Sequence, residues 1–157
     1  MRIAAAFDHA GVPFTEMVAE TVRAAGHELM DLGHCDDYPD AAYLAAKAIH
    51  DGKAERAILV CGSGAGVAVA ASKLDGIRAS LGHDTYTAAQ CVSHDDCNVL
   101  CVGSRVIGPV YAAACIDAFC RAEFSGEERH VRRLHKITQL EQRGFDLASP
   151  TPQRSTT

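Results

Sequence analysis

The 157-residue sequence has no apolar run approaching the roughly 20 residues that a membrane-spanning helix needs. Its first residues, MRIAAAFDHAG, turn polar after seven positions, too soon for a secretory signal, so the expected location is the cytoplasm, with no membrane partner. Positive charge is not in excess either. Lys and Arg number 15 against 20 Asp and Glu, and a formal net charge of -5 argues against a nucleic-acid surface. The basic stretch RHVRRLHK at 129–136 suits a small phosphate and not a polyanion. An even, paired set of cysteines is also missing. The seven present, at 35, 61, 91, 97, 101, 115 and 120, are scattered through apolar segments, as free thiols in a reducing compartment would be. There is no internal repeat and no linker. Residues 1–145 therefore read as a single domain, and 146–157 (DLASPTPQRSTT) as an irregular tail of turn formers.

What the sequence does contain is an alternation. Short Ile-, Val-, Leu- and Ala-rich runs at 2–7, 27–32, 56–61, 77–81 and 98–103 read as strands. Helical patterns lie between them near 13–25, 40–51, 66–73, 85–92 and 108–122, each opened by a breaker. The strand runs are apolar on both faces, which requires helices on both sides of the sheet. The expected fold class is α/β, a three-layer α/β/α sandwich of Rossmann type with a five-stranded parallel sheet. A sixth helix is expected at 129–142, with Val131, Leu134, Ile137 and Leu140 forming an apolar stripe.

In such sheets ligands sit beyond the carboxyl ends of the strands, which selects FDHAG after the first strand, DYPD after the second, CGSGAG after the third and GHD after the fourth. The spacing of CGSGAG, G-x-G-x-G after the third strand, is not that of a dinucleotide fingerprint. It suits a cradle in which backbone amides of 62–66 meet a developing oxyanion beside the thiol of Cys61. Each candidate also has an ordinary reading. Cys61 is equally at home as a buried apolar residue. Asp8 and His9 suit a helix cap, Tyr38 a turn, and Arg129 with Arg133 a solvated face. The series Cys91, His94, Cys97 and Cys101 superficially suggests zinc, but Cys101 belongs to a buried strand and the paired knuckles of structural zinc sites are missing. His94 is better read as a free acid or base.

Taken together, DHAG, DYPD, CGSGAGVAVAASK, GIRA, SHDDCNVLCVGSRVIG and RHVRRLHKI resemble, in order and spacing across residues 2–143, the ribose-5-phosphate isomerase B family, which includes the galactose-6-phosphate and allose-6-phosphate isomerases. The resemblance implies a homodimer or dimer of dimers with a shared active site, and a metal-free, cofactor-free aldose–ketose isomerisation of a sugar phosphate through a cis-enediol. It implies Cys61 as the base between C1 and C2, since Val67 stands where other members place a glutamate. It implies Ser63 near O1 and O2, and Gly62, Gly64 and Gly66 in the anion hole. Asp8 and His94 would open the furanose ring with Tyr38 nearby, and His9, Arg105, Arg129 and Arg133 would contact the phosphate or its surroundings. Three positions depart from the family pattern. Asp95 stands where a neutral, substrate-contacting amide is usual, Phe7 where a small residue is common, which would narrow or reshape the pocket, and Gly82 where many members are larger. The expected substrate is D-ribose 5-phosphate. Allose 6-phosphate, galactose 6-phosphate and erythrose 4-phosphate stay open as alternatives, as does a non-catalytic sugar-phosphate sensor.

Overall fold

The computed structural model describes residues 1–148; the tail expected from 146 onward therefore lies largely outside the described residues. The strands are β1 (Arg2–Asp8), β2 (Glu28–Cys35), β3 (Arg56–Cys61), β4 (Ala79–Leu81) and β5 (Val99–Gly103). The helices are α1 (Thr15–Ala24), α2 (Tyr38–His50), α3 (Ala65–Ala71), α4 (Thr85–Asp95), α5 (Pro109–Arg121) and α6 (Glu128–Arg143). All strands are parallel, in the order β2-β1-β3-β5-β4. The expected α/β architecture is present.

Alternation along the strands assigns each side chain to a layer. Ile3, Ala5 and Phe7 of β1, Ile58 and Val60 of β3, and Leu100 and Val102 of β5 pack with Val18, Ile116 and Phe119 from α1 and α5. Ala4, Ala6, Leu59, Cys61 and Cys101 face the opposite way, toward the alanines of α2 and Val67 and Ala71 of α3. Alanines at 41, 42 and 45 are fully buried, so α2 sits close on the face that ends in Cys61.

The chain divides into two compact units, Met1–Ser125 and a C-terminal unit starting at Gly126. The first holds the sheet and five helices. The second holds α6 followed by a short 3-10 turn at Gly144–Asp146. In α6, Val131, Ile137 and Leu140 of the apolar stripe are at least 40% exposed.

Candidate active site

The sheet order creates the site. From β1 the chain goes to β2 on one side and later returns to β3 on the other, leaving a crevice between the carboxyl ends of β1 and β3, where doubly wound sheets bind ligands. A cavity of about 380 Å³ lies there, lined by Asp8, His9, Ala10, Tyr38, Cys61, Gly62, Ser63, Gly66, Arg105 and Val106. That volume lies at the small end of ligand sites and suits a small sugar phosphate.

Cys61 ends β3 and is 4% exposed. The Gly64 amide donates to its sulfur at 3.1 Å, and the Ala65 amide donates to Ser63 Oγ at 3.3 Å. Two amides of the expected oxyanion cradle are thus aimed at the loop's own side chains. Gly64 has φ +77, and a Cβ there would come within 2.7 Å of Leu81 and 3.1 Å of the Val102 backbone, so this turn admits glycine alone. Of the loop's other glycines, Gly66 makes room for a neighbouring ring, whereas Gly62 has ordinary space around it. A Cβ at Gly66 would lie 3.1 Å from the Tyr38 ring, and one at Gly62 would lie 3.6 Å from the Arg105 side chain.

Asp8, 6% exposed, ends β1. Its Oδ1 accepts from the amides of Ala10 at 2.8 Å and Gly11 at 2.9 Å, so it closes a turn as well as lining the cavity. His9 is exposed and its Nδ1 lies 3.1 Å from the Asp36 carbonyl; a carbonyl only accepts, so Nδ1 carries the proton. Tyr38 opens α2 and is 44% exposed. Arg105 follows β5, and its amide donates to the Gly62 carbonyl at 3.0 Å.

Ser104 and Val106 are members of this neighbourhood that the sequence did not single out. Ser104 Oγ donates to the Ala10 carbonyl at 2.7 Å and its amide to the Cys61 carbonyl at 2.9 Å, tying the turns after β1, β3 and β5 together. Phe7 needs a different account from the pocket-narrowing one. Its side chain lies on the α1 and α5 side of the sheet, opposite Cys61, and is 1% exposed. Gly82 is a packing position, since a Cβ there would collide with the Leu100 side chain.

His94 does not line the Cys61 cavity. It sits in the last turn of α4, ahead of β5, at the amino edge of the sheet. Four residue steps from Val99 to Gly103, at roughly 3.3 Å each, put about 13 Å between that edge and the level of Cys61. Asp95 beside it is exposed. Arg129 and Arg133 lie one turn apart on α6 in the C-terminal unit, and Arg129 pairs with Glu127 at 2.9 Å.

The remaining thiols lie outside the cavity. Burial pushes the Cys101 and Cys120 thiols up, Cys120 to about 12, as suits packing residues. The thiols of Cys91 and Cys97 perturb each other, Cys97 held up and Cys91 down. Among the described residues no group of three His, Cys, Asp or Glu is arranged to hold a metal.

Comparison with known proteins agrees with this geometry. The family model described as Ribose/Galactose Isomerase matches residues 3–137. The ribose-5-phosphate isomerase B of Escherichia coli is 37% identical, covering 90% of this chain and 97% of that one. A D-erythrulose-4-phosphate isomerase of Pectobacterium atrosepticum is 38% identical, covering 80% and 86%. The solved type B ribose 5-phosphate isomerase of Trypanosoma brucei superposes with a TM-score of 0.84 at 42% identity, covering 88% of this chain and 97% of that one. A thiol at the switch point of a parallel sheet, in a chain matched over nearly its whole length, places this protein in the ribose/galactose isomerase family, as an aldose–ketose isomerase of sugar phosphates.

Proposed function

We propose that the substrate is D-ribose 5-phosphate, converted to D-ribulose 5-phosphate with Cys61 as the base. The observation that carries this reading is the sulfur of Cys61, at the end of a central strand, in a small cavity and facing an inward-pointing amide at 3.1 Å. Asp8 and the partner subunit's His94 open the furanose ring. Cys61 then takes the C2 proton, and the electron pair left behind makes a cis-enediol whose oxygen charge meets Ser63 and the loop amides. The same sulfur returns the proton to C1, while the hydroxyl proton passes from O2 to O1 near Ser63. Atoms and charge balance without a cofactor.

The active unit in this reading is a homodimer. The half-exposed apolar residues of α6 supply a face for a partner, and the separation of His94 from Cys61 calls for a second chain. A coupled assay across four-, five- and six-carbon aldose phosphates tests the substrate. Fastest turnover on ribose 5-phosphate is expected, and binding without turnover of any of them would favour a sensor. A four-carbon substrate is the second reading, because the D-erythrulose-4-phosphate isomerase relative is as similar as the ribose 5-phosphate one.

Arg133 is assigned to the phosphate, for which the guanidinium's fork of donors is suited. A phosphate contact far from C1 and C2 is shared by ground and transition states, so Arg133→Ala should raise KM more than it lowers kcat. Steady-state kinetics decide this: a collapse in kcat at unchanged KM would move Arg133 into the chemical step. Activity should also survive exhaustive dialysis against EDTA, because a thiol and hydrogen-bond donors do the chemistry. Recovery of lost activity by a divalent ion would overturn that assignment.

A further inference from the structure

β4 is three residues long and β5 is five, so the ladder between them stops short of the carboxyl end of β5. Leu81 pairs with Cys101, and the Gly82 amide still donates to the Cys101 carbonyl at 3.1 Å. The chain then turns into α4 at Asp84. The amide of Gly103, a buried residue, is left without a β4 carbonyl to meet, and an unpaired buried amide is costly. The imidazole of His83 stands in for that carbonyl: its Nε2 accepts from the Gly103 amide at 2.9 Å. A backbone amide only donates, so Nε2 carries the lone pair and the proton of the neutral ring sits on Nδ1.

Gly103 is also what the Cys61 loop rests on. It is the register partner of Cys61. A Cβ on Gly103 would come within 2.5 Å of the Ser63 carbonyl carbon, and one on Gly64 would lie 3.2 Å from the Gly103 nitrogen. The two residues after Gly103 hold the loop from the other side, through amides donated to the carbonyls of Cys61 at 2.9 Å and Gly62 at 3.0 Å. His83 does not line the cavity.

We propose that His83 is a positioning residue for the isomerisation: by holding Gly103 it sets where the Cys61–Gly64 loop presents its thiol and amides. This rests on Cys61 being the base. The test compares the full-length protein with His83→Phe, which keeps a ring without an acceptor, and His83→Gln, whose side-chain oxygen reaches about as far as Nε2. Kinetics on ribose 5-phosphate are measured well below each melting temperature, and exchange of the Gly103 amide proton is followed by NMR. Misplacement of reacting groups by 1 Å costs up to about 100-fold, so a smaller shift of the loop should lower kcat of His83→Phe by roughly tenfold. KM should stay near wild type and Gly103 exchange should be faster, while His83→Gln recovers most of kcat and of the protection. If His83→Phe does not fold, His83→Asn, too short to reach Gly103, takes its place with the same expected loss. Wild-type kcat in the variant lacking an acceptor, a loss confined to KM, or a glutamine no better than phenylalanine would overturn the positioning role while leaving Cys61 as the base. An inactive wild type on every aldose phosphate would overturn both, and Gly103 exchange would still report whether the bond exists.

Discussion

Replacing Cys61 by serine or alanine is expected to lower turnover by on the order of 100-fold or more, the size typical for a positioned base. The fold should survive the change. Serine is nearly the size of cysteine and its oxygen can still accept from the Gly64 amide, which now reaches the sulfur at 3.1 Å. Alanine takes away the sulfur that accepts from the buried Gly64 amide, so it should lower the melting temperature somewhat, and serine is the cleaner variant. Phosphate affinity should persist as well, because the groups assigned to the phosphate lie elsewhere. Inhibitor binding near wild type together with abolished turnover would place the loss in the chemical step. Turnover within a few-fold of wild type would sink Cys61 as the base and return it to packing.

A second large effect concerns two inactive variants that restore each other. In the proposed homodimer with a shared site, Cys61→Ala and His94→Ala should each be nearly inactive. Unfolded together and refolded as an equal mixture, about half of the dimers are mixed, and each of these has one site with both native residues; the statistics of an isologous dimer then give about a quarter of wild-type activity. The reason is geometric. Cys61 lies at the carboxyl edge of the sheet and His94 in the helical turn that leads to its amino edge, about 13 Å away along the strands at 3.3 Å per residue. If both acted within one chain, every site in the mixture would lack one of them and no activity would return.

The layers and most elements were legible because the periodicity is strong: β3 at 56–61 reads the same from sequence and structure, and Cys61 at its end marks the site. The discrepancies have identifiable causes. β2 runs on to Cys35, beyond the expected 32, because the polar DLGHC segment is an edge strand and partners only β1. α4 continues to Asp95, beyond the expected 92, because its stop is Asp96 at φ 48, a conformation usually signalled by Gly or Asn. Arg78 holds that residue, donating to its carbonyl and to its carboxylate at 2.7 Å each. The sheet order was not legible at all. β5 lies between β3 and β4; its place beside β3 brings Ser104 and Val106 to the site and its place beside β4 gives His83 its partner, yet no local pattern encodes which strands are neighbours.

The crevice has a floor made of backbone pressed on backbone, with Gly103 beneath Ser63, Gly64 against Val102, and Gly11 against the Val60 carbonyl. Its rim is made of exposed side chains: His9 after β1, Tyr38 at the start of α2, and Arg105 with Val106 in the turn after β5. For a lineage under selection for a new sugar, or for a laboratory library, this divides the mutable from the immutable. Floor positions tolerate almost no drift, because a neighbouring main chain cannot step aside for even one methyl group. Rim positions meet solvent and not a neighbouring main chain, so a change there costs the fold little. Variation in which sugar phosphate is admitted is therefore expected at the rim and not in the floor.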